Sequence, residues 1–291
     1  MTETVQIGVI GGSGLYDMPD VTDKVEYDID TPFGKPSAPI TVGTLRGKRV
    51  AFLPRHGRGH VYSPSTVPYR ANIYALKTLG VRFVVAVSAC GSLQETYAPG
   101  HLAIPDQLYD NTKHDGRDRT FFETGLVAHI GVADPFDAYL SDILYDAIAE
   151  VGGTVHKGGL FITIEGPRFS TRGESKVFRS WGCDLIGMTT SPEAYLAAEA
   201  EIAYACIAHI TDYDVWHETE QAVSVEAVMK TAGTNVDTAR RALAVAVENL
   251  EEGTERPAHS SLSVAITTQA ASIPADVRKR LDVIIGKYLN T

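Results

Sequence analysis

The sequence predicts an α/β fold built on a largely parallel central sheet, with ligand loops gathered at one rim. Three observations carry that expectation. Short apolar runs, each suited to a strand covered on both faces, alternate with stretches of helical period. Several of these runs end in small, hydroxyl-bearing or charged residues, and open α/β sheets bind ligands at the carboxyl ends of their strands. Glycine, proline and capping residues separate the segments where helices should start and stop. A length of 291 residues suits one large α/β domain or two smaller ones.

Val5 to Ile10 is the first strand candidate and runs straight into Gly11-Gly-Ser-Gly-Leu15. Glycines there give room for a backbone to approach an anion with its N–H groups. The dinucleotide fingerprint fails, because Asp17 stands at the third glycine position counted from Gly12. The serine-hydrolase elbow fails too, since Ser13 would need a glycine where Leu15 stands. A small anion-binding turn and an ordinary tight turn both remain open. Ile40 to Leu53 reads as a hairpin turning at Arg46-Gly47-Lys48. Its second arm ends in Pro54-Arg-His-Gly-Arg-Gly-His60, where arginine forks and histidines suggest an anion site. His56 and His60 have the spacing of a helical metal pair, but Gly57 and Gly59 disfavour a helix, so no metal is expected.

From Pro68 a helix buries Tyr69, Ile73, Leu76 and Leu79 and stops at Gly80. Val81 to Val87 is a buried strand that ends in a turn, Ser88-Ala-Cys-Gly-Ser92. The polar stretch from Asn111 to Thr124 reads as a surface loop, and Ser141 to Val151 as a helix. Leu160 to Ile164 is a strand followed by Glu165-Gly-Pro-Arg-Phe169. Thr171 and Glu174 form a capping box for a helix with Val177, Phe178 and Trp181 inward. A strand from Asp184 to Met188 delivers Thr189-Thr-Ser191, and Ser191 and Pro192 start the next helix. Tyr204 to Asp214 is an apolar run ending in two carboxylates, Asp212 and Asp214. They serve either proton chemistry and donor recognition or local capping. Ser224 to Leu250 is helical with a break near Gly233, and Asp276 to Leu289 is a final amphipathic helix.

Composition narrows the partners. Hydrophobic content of 44% and charged content of 21% are ordinary for a globular chain. A net charge of −10 argues against nucleic acid or a membrane surface as partner, yet leaves room for an anionic small substrate in a local basic pocket. No apolar run is long enough for a bilayer, and the start lacks a signal-peptide pattern. Cys90, Cys183 and Cys206 are odd in number and widely spaced, which fits reduced thiols in the cytoplasm. On a shared rim, Ser13, Arg55, His56, Ser88 and Thr189 would surround a phosphate-sized anion. Phe169 offers an aromatic platform, Met188 a soft apolar contact, and the two aspartates a proton. That set suits phosphorolytic glycosyl transfer: a carboxyl group protonates the leaving base and the cationic sugar collapses onto phosphate.

In this order, IGVIGGSGLYD, DTPFGKPS, RHGRGH, SACGSL, TIEGPRFSTRGES, GMTTSPE and TDYD closely resemble the methylthioadenosine phosphorylase family, within the trimeric purine nucleoside phosphorylases. The match runs from about Ile7 to Met229. The resemblance implies a mixed, largely parallel twisted sheet flanked by helices, in a single domain over 1–291 with a C-terminal helix at about 274–290 packed on it. It implies phosphorolysis of S-methyl-5′-thioadenosine to adenine and 5-methylthio-D-ribose 1-phosphate, in purine and methionine salvage. Phosphate is then a co-substrate and no cofactor is needed. Phosphate would be held by Ser13, which replaces the threonine of many relatives, with Arg55, His56, Ser88, the Ala89 backbone and Thr189. Phe169 would stack on the purine and Met188 touch the ribose. Asp212 would meet purine nitrogen-7, and Asp214 would help select the 6-amino group. Val225, Val228 and His60 would surround the alkylthio end. His129 would come from the neighbouring subunit of a homotrimer, making each site shared.

Other readings stay open at this point. Phe169, Met188, Val225 and Val228 also suit a plain core. The rival activity is phosphorolysis of a 6-oxo nucleoside such as methylthioinosine, inosine or guanosine, whose enzymes carry asparagine at this position. A nucleoside-binding protein without catalysis and a nicotinamide dehydrogenase complete the alternatives, the latter weakened by the failed glycine fingerprint.

Overall fold

A computed structural model describes residues 5–12, 15, 18–113, 119–218 and 225–289, apart from the side chains at 225–230, 232, 234 and 235. The amino-terminal apolar run forms β1 (Ile7–Gly11), buried throughout. β2 (Thr22–Tyr27), β3 (Ile40–Leu45) and β4 (Lys48–Pro54) follow. The β3–β4 hairpin turns where expected: Arg46 (φ 50°) and Gly47 (φ 78°) take the two left-handed positions of a two-residue turn, and Leu45 pairs with Lys48. α1 (Tyr69–Thr78) buries Tyr69, Ile73 and Leu76 on one face, as its spacing predicts. β5 (Phe83–Ser92) is longer than the sequence implies. Ser88 to Ser92 is not a turn but a continuation of the strand, because pairing partners extend beside it.

β6 (Leu102–Ile104) and β7 (Gln107–Asn111) come next, then α2 (Ala138–Glu150), β8 (Val155–Lys157) and β9 (Leu160–Ile164). α3 (Arg172–Ser180) starts on the expected capping box, with Thr171 and Glu174 each bonded to the other's backbone. Only Phe178 of its three expected inward residues is buried, packed with Leu93, Ile162 and Ile186; Val177 and Trp181 are 42% and 53% exposed, because this short helix turns only a narrow face to the sheet. After β10 (Leu185–Gly187), α4 (Thr190–Glu199) holds Ser191 in an extended conformation (φ −101°, ψ 134°), so its regular turns begin at Pro192. β11 (Ala203–Asp212) is buried up to its last residue. α5 (Val225–Asn249) runs on through Gly233 without the expected break, and α6 (Ala275–Leu289) closes the described chain.

The sheet is mixed and largely parallel. Its strand order is β2-β3-β4-β1-β5-β10-β9-β7, and β5 also pairs with β11, which continues to β6 and β8. The pairs β1–β4, β1–β5, β5–β11, β9–β10, β7–β9 and β6–β8 are parallel, and the rest antiparallel. Alternation along β5 sends Phe83, Val85 and Val87 to one face, against α2 and α5. Val84 and Ala86 go to the other face, with α1, α4 and α6. Val277, Leu281, Ile284 and Ile285 of α6 belong to that second core.

The expected surface loop from Asn111 is corrected in its second half. Phe121 is fully buried, and Glu199 accepts hydrogen bonds from the Phe121 backbone and the Thr120 hydroxyl, both at 2.7 Å. A polar sequence hid two core aromatics. β2, β6, β7 and β8 were likewise unforeseen, being short or too exposed to show an apolar run.

Lys48 ties the hairpin to the end of α5. Its ammonium donates to the carbonyls of Val247 (2.9 Å), Glu248 (2.8 Å) and Leu250 (2.6 Å), which lack partners inside the helix. Lys48→Met keeps the stem and removes the charge. The expected loss is about 1–2 kcal/mol, read as a lower urea midpoint with an unchanged slope.

Candidate active site

The parallel strands β1, β4, β5 and β11 present their carboxyl ends together, and these ends, met by β10 running antiparallel to β5, line one cavity of about 370 Å³. Gly12 follows β1, Arg55 and His56 follow β4, and Ser88, Ala89 and Gly91 belong to β5. Met188 and Thr189 follow β10, and Thr211 and Asp212 end β11. His60, Phe169 and Asp214 complete the set of expected residues on the wall. Ser13 lies outside the described residues, between Gly12 and Leu15, which both line the cavity. The side chains of Val225 and Val228, in the first turn of α5, are also outside them; Gly233 and Val236 of the same helix reach the wall. His129 is exposed and does not line this chain's cavity.

The two carboxylates owe their placement to an irregular strand end. Ile210 pairs with Cys90 and Asp212 with Gly91, so Thr211 is the extra residue of a β-bulge. Gly91 leaves room for what the bulge delivers: a Cβ there would meet Asp212 Oδ1 at 2.9 Å and Ile186 Cγ2 at 3.0 Å. Asp212 Oδ2 accepts the Thr211 hydroxyl at 2.7 Å, and Oδ1 accepts the backbone N–H of Asp214 at 2.8 Å. The local turn bond thus falls to Asp212 and leaves it on the cavity wall. Burial pushes the Asp212 carboxyl up to about 6, against these two hydrogen bonds. Burial also raises Asp214, opposed by the Ser175 and Ser170 hydroxyls.

Opposite stand the basic residues. Arg55 is not the uncompensated cation that its sequence context implies. It is 2% exposed, and its Nε and Nη2 donate to the two oxygens of Glu193, each at 2.7 Å. Its Nη1 donates to the Val87 carbonyl at 3.0 Å, and the Tyr204 hydroxyl donates to Glu193 at 2.8 Å. Burial alone would lower the guanidinium's pKa; the Glu193 carboxylate outweighs it and raises it. His56 Nδ1 bonds the Tyr62 carbonyl at 2.9 Å, and since a carbonyl only accepts, Nδ1 carries the proton. Burial, then the Arg55 charge, lowers His56 to about 4, so the ring is neutral and Nε2 is an acceptor. The His60 ring stacks on it at 4.3 Å. The Ser88 hydroxyl is buried beside the Cys206 thiol and lines the cavity. Thr189 precedes α4 without capping it through its side chain.

Four residues of the site escaped the sequence reading. Glu193 sits inside GMTTSPE but reads as an ordinary first-turn acid of its helix. Ser170, Thr211 and His209 line the cavity beside the aspartates and lack any local signature. Among the described residues no three His, Cys, Asp or Glu side chains converge as a metal-binding group, and no helix is long and apolar enough to cross a membrane.

Residues 6–248 match the model of the phosphorylase superfamily. S-methyl-5′-thioadenosine phosphorylase of Chloroflexus aurantiacus is 54% identical over 282 residues, covering 97% of this chain and 98% of its own. The enzyme of that name from Geobacter sulfurreducens is 51% identical over 283 residues, covering 97% and 99%. Among solved structures, a methylthioadenosine phosphorylase from an Antarctic soil metagenomic library superposes with a TM-score of 0.92 at 47% identity, covering 97% of this chain and 99% of its own. Methylthioadenosine phosphorylase from Schistosoma mansoni, in complex with adenine, gives 0.79 at 38% identity, covering 84% and 91%.

Gly91→Ala tests the packing of the carboxylates. The added methyl displaces Asp212, so turnover is expected to fall about tenfold or more while the fold persists. Steady-state rates alongside far-UV circular dichroism check this; full activity would show that the carboxylate's position is not critical.

Proposed function

The chain belongs to the phosphorylase superfamily, and on that premise we infer that it cleaves S-methyl-5′-thioadenosine with phosphate. The products are adenine and 5-methylthio-D-ribose 1-phosphate, and the enzyme is a pentosyltransferase. The observation that carries the reading is one cavity that joins two raised-pKa carboxylates to a set of anion donors. Relatives named for this reaction match nearly the whole chain.

Phosphate is assigned to Arg55, His56, Ser88, the Ala89 backbone, Thr189 and Ser13. Neutral His56 accepts a hydrogen bond from the P–OH of hydrogen phosphate, while the hydroxyls and the guanidinium donate. Phe169, 37% exposed on the cavity wall, supplies the face on which the purine stacks. Met188 lies against the ribose, and His60, Val225 and Val228 against the methylthio end. As the C1′–N9 bond breaks, its electron pair moves into the purine, Asp212 gives its proton to nitrogen-7, and a phosphate oxygen forms the new bond to C1′. A pKa near 6 suits that role, because the acid is protonated in a useful fraction near neutral pH. Asp214 accepts from the 6-amino group through a carboxyl oxygen; a 6-oxo purine offers it no donor there. The exposed position of His129 supports its service to a neighbouring copy in a homotrimer. Three buried free cysteines support a reducing, cytoplasmic setting.

Methylthioadenosine and methylthioinosine assayed in parallel with phosphate test the substrate. The amino substrate is expected to turn over faster, and faster release of hypoxanthine would reverse the assignment of Asp214. The pH profile tests Asp212. Because the protonated form acts, kcat/KM for methylthioadenosine is expected to fall as pH rises through about 6. Asp212→Asn cannot titrate and loses that limb, and Asp212→Ala loses about 10²–10⁴-fold in kcat. An Asp212→Asn profile that keeps the limb would assign it to another group.

A further inference from the structure

We propose that Glu193 is a positioning residue for the phosphate co-substrate: held by Tyr204, its carboxylate fixes the Arg55 guanidinium so that two N–H groups point at the anion. This rests on the reading above that Arg55 meets phosphate. Arg55 lines the cavity, whereas Glu193 and Tyr204 stand behind it, off the wall. A guanidinium is planar and carries five N–H groups in a fixed fork. Glu193 takes one on Nε and one on Nη2, and the Val87 carbonyl takes one on Nη1. Five less three leaves two, one on each terminal nitrogen, and fixing the plane through Nε and Nη2 fixes their directions. The assembly joins four elements: Arg55 follows β4, Val87 is on β5, Glu193 is in the first turn of α4, and Tyr204 is on β11.

A purely structural ion pair explains less. Buried pairs add little stability over well-packed apolar side chains, so burial alone is no reason for this one. Both carboxylate oxygens are engaged at 2.7 Å, and a third donor locks the carboxylate itself. That is more constraint than neutralising a charge requires. It matches the need of a group that must present hydrogen bonds at set angles to a tetrahedral anion.

The test is Glu193→Gln, which preserves shape and removes the charge-assisted fork. The phosphate KM is expected to rise about tenfold, the loss of one charge-assisted hydrogen bond's worth of orientation. The methylthioadenosine KM should stay within about twofold, which a general loss of structure would not allow. In an Arg55→Ala background the same change should add less than about twofold, because Glu193 acts only through Arg55. Tyr204→Phe, milder for folding, should raise the phosphate KM by a smaller amount and decides the matter if Glu193→Gln does not fold. A folded Glu193→Gln protein or a Tyr204→Phe protein with parental phosphate KM overturns the proposal, as do additive effects with Arg55→Ala. Phosphate binding by calorimetry on the same variants separates the two inferences. Parent protein that binds phosphate but releases no adenine defeats the phosphorolysis reading and leaves Glu193 to be judged on affinity.

Discussion

The site depends on the parallel pairing of β5 with β11. Each strand is ten residues long, and the register holds from Ala203 opposite Phe83 to Ile210 opposite Cys90. Residues on both faces are locked into a core, so neither strand can slip without turning its apolar set to the wrong side. The single irregularity in that ladder, at Thr211, falls where the apolar run stops and the acids begin. A bulge re-aims a side chain without disturbing the strand behind it. β5 also pairs with β1 in parallel and with β10 antiparallel, so four strands are indexed to one another before any loop is placed.

Charge inside this frame is handled group by group. A buried ion must be paired, hydrogen-bonded or neutralised. Arg55 is paired with Glu193, the two aspartates are raised toward their neutral forms, and His56 is held neutral with its proton on the far side of the ring. The cavity is therefore polar without carrying the strong charges that its sequence suggests.

Features that depend on neighbours in the chain were legible in the sequence. The hairpin at Arg46-Gly47, the capping box of Thr171 and Glu174, and the apolar run before Asp212 all follow from local rules. So did ten of the residues that the cavity brings together, through ordered motifs as well as strand ends. What failed to show depends on distant partners. Arg55 and Glu193 are 138 residues apart, and neither advertises the other. Ser88 to Ser92 looks like a turn until β10 and β11 are laid beside it. Phe121 looks exposed in a polar stretch until α4 supplies Glu199 to hold its backbone.

The cancelled charge of Arg55 and Glu193 also bears on how phosphate arrives. A pocket that steers an anion from solution needs a net positive field reaching past its mouth. Here the chain as a whole carries −10, the guanidinium is neutralised within 3 Å, and the nearest imidazole is uncharged. On the proposed assignment, phosphate is then not drawn in over a distance but found by diffusion and kept by geometry. Its capture is governed by abundance in the surroundings, and added salt slows it little, since there is scarcely any long-range attraction to screen.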